Sequence, residues 1–93
     1  MNILVLNCGS SSIKYKLYDM TNEAVLAQGG VERIGINDAF IKVKLPNGDK
    51  KKIMADLPTH KEGVQLVFKC LLDPEFGAIK SLDEIGAVGH RVV

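Results

Sequence analysis

The sequence has no tryptophan, only two cysteines and three prolines, and no long apolar run. The apolar run after Met1-Asn2 is too short for a membrane span, and it lacks the basic flank of a signal peptide. Cys8 and Cys70 lie far apart, without a CxxC pattern, so a zinc site or a disulfide framework has no support. Two such cysteines fit a reducing compartment, and we expect a cytoplasmic protein.

The charge is nearly balanced. A net charge of +1 argues against electrostatic binding to nucleic acid or to an anionic membrane. The lysines are scattered along the chain except for Lys50-Lys51-Lys52, which we interpret as a solvated hairpin strand. A hydrophobic content of 46% over 93 residues is ordinary for one small domain with one core.

The first half of the chain predicts strands. Residues 2–8 are short and apolar, and residues 12–19 alternate, with Ile13, Tyr15 and Leu17 on one face. Pro46-Asn47-Gly48 is a turn signal between two half-apolar runs, which predicts a hairpin. The predicted strands are 2–8, 12–19, 24–34, 39–45 and 49–54.

The pattern then changes to a helical period. Thr59 followed by Glu62 predicts a capping box. An apolar stripe follows it, and Asp73-Pro74 ends the helix. The stripe comprises Val64, Val67, Phe68 and Leu71. Residues 85–93 predict a further strand, and because the chain stops inside this apolar strand we expect a fragment of a longer protein.

This order predicts an α/β or α+β domain, and we assign it to the α/β class. Its mixed sheet has antiparallel N-terminal hairpins, and a crossover helix leads to a strand that returns parallel to an earlier one.

The stretch "NCGSSSIKY", residues 7–15, predicts an anion-binding turn. Gly9 permits a positive φ, so a tight turn there can aim several N–H groups into one concavity. Ser12 and Lys14 are two apart on a strand and share a face, which places a hydroxyl beside an ammonium group. GxxxxGK[ST] and GxGxxG are both absent. From spacing alone, a plain hairpin with solvated side chains explains the stretch equally well.

The stretch "GHRVV" ends the chain with an arginine in an apolar strand. Arg91 there needs an anionic partner, and its planar fork suits a carboxylate or a phosphate. The alternative is an exposed arginine, or one paired with an acidic residue of this chain. His90 falls on the opposite face and reads as structural. His60, in the first helical turn, reads as a surface residue.

The sequence resembles the acetate kinase family along all 93 residues. The resemblance is found in "LVLNCGSSSIKYKLYDM", "ERIGI", "DLPTHKE" and "EFGAIKSLDEIGAVGHRVV". It implies a ribonuclease H-like actin and sugar-kinase ATPase domain, of which residues 1–93 are the N-terminal part, in a longer two-domain enzyme. The implied reaction is reversible transfer of a phosphoryl group from ATP to acetate, giving acetyl phosphate and ADP, with Mg²⁺. A homodimer is implied for the full-length enzyme, and no activity for this segment alone.

The resemblance also implies roles for five residues. Asn7 corresponds to the family's magnesium position. Ser10, Ser12 and Lys14 correspond to positions that bind the nucleotide phosphates. Arg91 corresponds to a catalytic arginine that also binds the acyl substrate. Two alternatives stay open, a propionate or other short-chain acyl kinase and a non-catalytic anion-binding or interaction module.

Overall fold

The computed structural model describes residues 1–44, 48–73 and 79–92, with the backbone alone for 90–92. Six strands of these residues form one sheet in the order β5-β4-β3-β2-β1-β6. Helix α1 connects β5 to β6, and a short 3₁₀ helix, Leu82–Glu84, precedes β6. The elements are β1 (Asn2–Cys8), β2 (Ile13–Asp19), β3 (Ala24–Glu32), β4 (Phe40–Lys44), β5 (Lys50–Met54), α1 (His60–Leu71) and β6 (Ile85–Val92).

The predicted mixed sheet is confirmed. Strands β1 to β5 pair antiparallel with their sequence neighbours, and β6 pairs parallel with β1. The predicted turn at 46–48 and the helix stop at 73–74 fall only partly within the described residues: Pro46, Asn47 and Pro74 lie outside them. Gly48 has a φ of 92°, a value that favours glycine.

One face of the sheet forms the core. Ile13, Tyr15 and Leu17 of β2 are buried on it, as the alternation predicts, and α1 packs over them. Strand β1 contributes Leu4 and Leu6 to the same core. The helix is capped as predicted, and no helix in the described part of the chain has the length and hydropathy to cross a bilayer.

The buried stripe of α1 differs from the predicted one. Val64 and Phe68 are only half-buried at its sides. A Cβ on Gly63 would lie 3.0 Å from Cδ1 of Ile13 and 3.2 Å from Cδ1 of Ile34. The helix approaches the sheet at a residue without a side chain, a position that a count of apolar residues cannot identify. The buried residues are Gly63, Val67, Cys70 and Leu71.

The opposite face of the sheet is basic. The strand register aligns lysines that are scattered in the sequence, and Lys44 lies directly opposite Lys50 as Lys42 lies opposite Lys52. This face has an open groove of about 370 Å³, and five of the residues that line it are lysines. We call this surface the lysine face; its exposed lysines are Lys14, Lys16, Lys42, Lys44, Lys50 and Lys52.

Candidate functional site

Three of the residues predicted to form the site lie in one row across neighbouring strands. Asn7 of β1 pairs with Lys14 of β2 on one side and with Arg91 of β6 on the other. Adjacent strands are about 4.8 Å apart, so the three backbones fall within two strand spacings. Asn7 and Arg91 are far apart in the sequence, and the parallel pairing of β6 with β1 brings them together.

The serine-rich turn lies beside this row, where it connects β1 to β2. The turn follows the C-terminal end of β1. Because β6 runs parallel to β1, the C-terminal end of β6 lies at the same edge of the sheet. In α/β sheets, ligands bind just outside the carboxyl ends of the strands. The turn, Lys14 and Arg91 therefore meet at the edge where this class of fold places a ligand.

Gly9 has a different role from the one predicted. Its φ is not among the positive values of the described glycines, so the turn does not need its left-handed freedom. A Cβ at this position would lie 3.0 Å from Ser12 Oγ. A side chain at this position would therefore crowd the Ser12 hydroxyl, which would have to move to make room.

The turn presents donors that the described part of the chain does not use. Gly9 N–H donates to the Ser12 carbonyl at 2.8 Å. Within the described residues, the N–H groups of Ser10, Ser11 and Ser12 form no hydrogen bond. Three successive N–H groups without partners among the described residues, in a partly exposed turn, leave donors available to the anion that the sequence predicts there.

Two contacts from distant segments fix the turn. The Ser11 carbonyl accepts a hydrogen bond from Ile34 N–H at 2.9 Å. The Gly9 carbonyl accepts one from His60 Nε2 at 2.7 Å. The prediction that His60 is a surface residue is wrong, since its ring is part-buried and bonded to the turn. Nothing in the local sequence signals this contact, because 51 positions separate the partners.

Asn7 holds a polar atom that no described residue satisfies. Its Oδ1 is buried and has no hydrogen-bond partner in the described part of the chain. Buried acceptors are normally paired, so an unpaired one needs a functional explanation. An amide oxygen is a hard, neutral ligand of the kind that Mg²⁺ accepts, and this atom fits the predicted metal position.

The neighbouring residue faces the other way. Cys8 is buried in the core, as expected when Asn7 points to the opposite face. No disulfide joins Cys8 to Cys70, and both side chains are buried. No group of three or more His, Cys, Asp or Glu side chains is placed to hold a metal within the described residues.

The site is only partly visible in the described residues. The backbone of Arg91 is at the predicted row position, while the guanidinium of Arg91 and the ring of His90 lie outside the description. Residues 10–12 form a turn and residues 13–16 belong to a strand, so the predicted turn between the first two strands is confirmed. Residues 10–16 do not form a helix. Lys14 is exposed, with its side chain on the lysine face.

Comparison with known proteins supports one family. A family model described as "Acetokinase family" matches residues 2–93. An acetate kinase of Bacteroides thetaiotaomicron is 62% identical over all 93 residues, and the chain covers 23% of its length. The crystal structure of the Porphyromonas gingivalis acetate kinase superposes with a TM-score of 0.94 at 50% identity, over 96% of this chain and 22% of that one.

A propionate kinase has the same local fold. The structure from Francisella tularensis superposes with a TM-score of 0.81 at 32% identity, over 99% of this chain and 22% of that one. The chain thus spans less than a quarter of the length of the relatives that it matches. The family match and the similarity over all 93 residues agree with the predicted fold, and the chain belongs to the acetokinase family.

Proposed function

We propose that this segment forms the phosphate-binding corner of an acetate kinase, which transfers a phosphoryl group reversibly between ATP and acetate. The observation that best supports the proposal is the row of Lys14, Asn7 and Arg91 beside a turn whose three serine N–H groups have no partner among the described residues. Phosphoryl transfer is catalysed mainly by positioning and by stabilising charge on phosphate oxygens. Hydrogen-bond donors and cations along one sheet edge suit that task.

In this proposal the turn and Lys14 hold the nucleotide phosphates. Ser10 and Ser12 supply hydroxyls and N–H groups, which approach phosphate oxygens from several directions. Lys14 follows on β2 and adds a positive charge at close range. The donors are short and attached to a fixed turn, so little conformational entropy is lost when they bind.

Asn7 would hold the metal. Its buried Oδ1 is the one oxygen of this segment that we assign to Mg²⁺, directly or through a water molecule. The metal, when bound, neutralises charge on the phosphate oxygens. The amide brings no charge of its own, so the other ligands come from the nucleotide, from water or from further parts of the enzyme.

Arg91 would act at the acyl end. In the reaction, a carboxylate oxygen of acetate attacks the terminal phosphorus, the bond to the bridging oxygen breaks, and ADP leaves with the electron pair. A guanidinium can bind the carboxylate or the phosphoryl group in transfer with two parallel hydrogen bonds. Arg91 is one strand away from Asn7 and two from Lys14, and this spacing supports an acyl end that is separate from the nucleotide end.

The test uses the full-length enzyme that contains this segment. The purified protein is supplied with ATP, Mg²⁺ and either acetate or propionate, and the acyl phosphate is trapped with hydroxylamine. We expect turnover with acetate on the order of 1–100 per second, and a lower kcat/KM with propionate. A higher kcat/KM with propionate would make the enzyme a propionate kinase, and no acyl phosphate from either acid would contradict the proposal. Homodimer assembly stays a prediction that sedimentation velocity tests on the same sample.

A further inference from the structure

We infer that His60 is a positioning residue, which directs the Ser10 N–H of the turn at the nucleotide phosphates. The inference rests on the proposed function of the turn. It starts from the hydrogen bond between His60 Nε2 and the Gly9 carbonyl, 2.7 Å long and part-buried. A carbonyl oxygen can only accept, so Nε2 is the protonated nitrogen of the ring.

The planarity of the peptide bond links this contact to the ligand side of the turn. In a trans peptide, the carbonyl of one residue and the N–H of the next lie in one plane and point in opposite directions. No cis peptide bond occurs in the described residues. When His60 holds the Gly9 carbonyl toward α1, it therefore fixes the Ser10 N–H in the direction away from α1.

Among the described residues, His60 is the only donor to the Gly9 carbonyl. In many β-turns the first carbonyl accepts a hydrogen bond from the N–H three residues on. Here Gly9 N–H bonds to the Ser12 carbonyl, while the Ser12 N–H forms no bond with the Gly9 carbonyl. His60 replaces the Ser12 N–H as donor, and so it also leaves that N–H available to a ligand.

The position of His60 is itself set by the packing of α1. His60 is the first residue of the helix, directly after the cap, where the Thr59 N–H donates to Glu62 Oε2 at 3.0 Å. Gly63, one turn on, lets the helix approach Ile13 of β2. Both partners of the contact are thus held by elements of this chain, and the hydrogen bond can transmit that rigidity to the turn.

The test compares two replacements in the full-length enzyme. His60→Phe keeps a ring but removes the donor, and His60→Gln restores an N–H at similar reach. We expect His60→Phe to weaken ADP binding, measured by calorimetry, and to raise the KM for ATP, both by about 3- to 10-fold. The KM for acetate should not change, and His60→Gln should recover ADP affinity to within about twofold of wild type. Lys61→Ala, at the exposed neighbouring position, is the matched control and should leave ADP binding unchanged.

A second readout follows the peptide itself. In protein labelled with ¹⁵N-serine, the Ser10 amide resonance should shift on ADP binding in the wild type and shift less in His60→Phe. If His60→Phe folds and keeps both ADP affinity and the Ser10 shift, the inference is wrong. It is equally wrong if the KM for acetate rises as much as that for ATP, since that would indicate general disruption. If His60→Phe does not fold, His60→Ala is compared with His60→Gln on the same criteria.

Failure of the proposed function gives a different result. A wild-type enzyme that binds ADP but forms no acyl phosphate would contradict the acetate kinase proposal, while the ADP affinities would still test His60. Wild-type protein without affinity for ADP would overturn both.

Discussion

At the scale of the residue, the immediate surroundings of a position explain which residue type is found there. A Cβ on Gly29 would lie 2.8 Å from the Tyr15 hydroxyl and 2.2 Å from the Lys42 carbonyl, so only glycine fits where the ring crosses β3. Burial raises the pKa of Tyr15 above its ordinary value, which keeps the phenol neutral in the core. Asn7 has the opposite situation, a buried oxygen that no described residue satisfies.

The residue with the largest expected effect on catalysis is Arg91. In its proposed role at the acyl end, Arg91 forms charged hydrogen bonds worth about 1.5–3 kcal/mol each, which Arg91→Ala would remove from the full-length enzyme. Two such bonds correspond to a fall in kcat/KM of roughly two to four orders of magnitude. Arg91→Lys should recover little, because an ammonium group cannot reproduce the planar fork. Steady-state kinetics measures both variants, with folding checked by circular dichroism. Values of kcat within about threefold of wild type would show that Arg91 is structural.

At the scale of the element, α1 connects the core to the turn. Its buried stripe packs on the sheet through Gly63, and its first residue bonds to the Gly9 carbonyl. The helix begins at a capping box, in which Glu62 accepts from the N–H and the hydroxyl of Thr59. A small displacement of α1 is therefore expected to alter both the packing of the core and the position of the turn.

Filling the contact at Gly63 should destabilise the chain. Gly63→Leu adds a side chain where even a Cβ lies 3.0 Å from Ile13 Cδ1, so we expect a loss of about 1–3 kcal/mol from overpacking. Gln65→Leu makes a similar change at an exposed position of the same helix and should alter stability by less than about 0.5 kcal/mol. Urea unfolding of the 93-residue chain measures both. An equal loss of stability in the two variants would contradict a close contact between Gly63 and Ile13.

The cap should make stability depend on pH. The hydrogen bond from the Thr59 hydroxyl is the main cause that lowers the pKa of Glu62. A folded-state pKa below the unfolded value, about 4.3, stabilises the fold above that value. This contribution is lost as the pH falls through the lower, folded pKa. Urea midpoints measured from pH 7 down to pH 2.5 should fall less for Glu62→Gln and for Thr59→Ala than for wild type. A decline as steep as that of wild type in both variants would refute this role of the cap.

At the scale of the whole molecule, the sheet separates two kinds of surface. One face is apolar and covered by α1, while the other is the lysine face. Lysine ammonium groups are almost never fully buried without partners, so we expect the lysine face to contact solvent or anionic groups. The net charge of +1 does not reveal this asymmetry, because carboxylates elsewhere on the chain balance the lysines.

Like charges opposite one another should weaken this side of the sheet. Lys44 faces Lys50 across β4 and β5, and Lys44→Glu would turn the pair into one of opposite charges. We expect a gain of about 0.5–1 kcal/mol at low salt, which shrinks at 1 M salt, where screening acts within about 3 Å. The double variant Lys44→Glu/Lys50→Glu restores like charges and should lose the gain. Thermal unfolding at both salt concentrations measures this, and a gain that persists in the double variant would show that the effect is not electrostatic.

Local patterns in the sequence determined the elements of this protein. The short apolar run predicted β1, alternation indicated the inward face of β2, the Thr59–Glu62 pair indicated the start of α1, and the end motifs indicated the family. These signals are local because each depends on the spacing of side chains along a few residues of backbone. That is why the strands and the helix, and the residue types of the site, could be predicted from the sequence.

Only the tertiary structure decided how those elements meet. The row of Lys14, Asn7 and Arg91, the bond from His60 to Gly9, and the lysine face all depend on strand register and helix placement. Periodicity carries no information on which residues of two distant strands become neighbours. Register and placement are set by packing over the whole core, which involves residues far apart in the chain, and the candidate site exists only once that packing is complete.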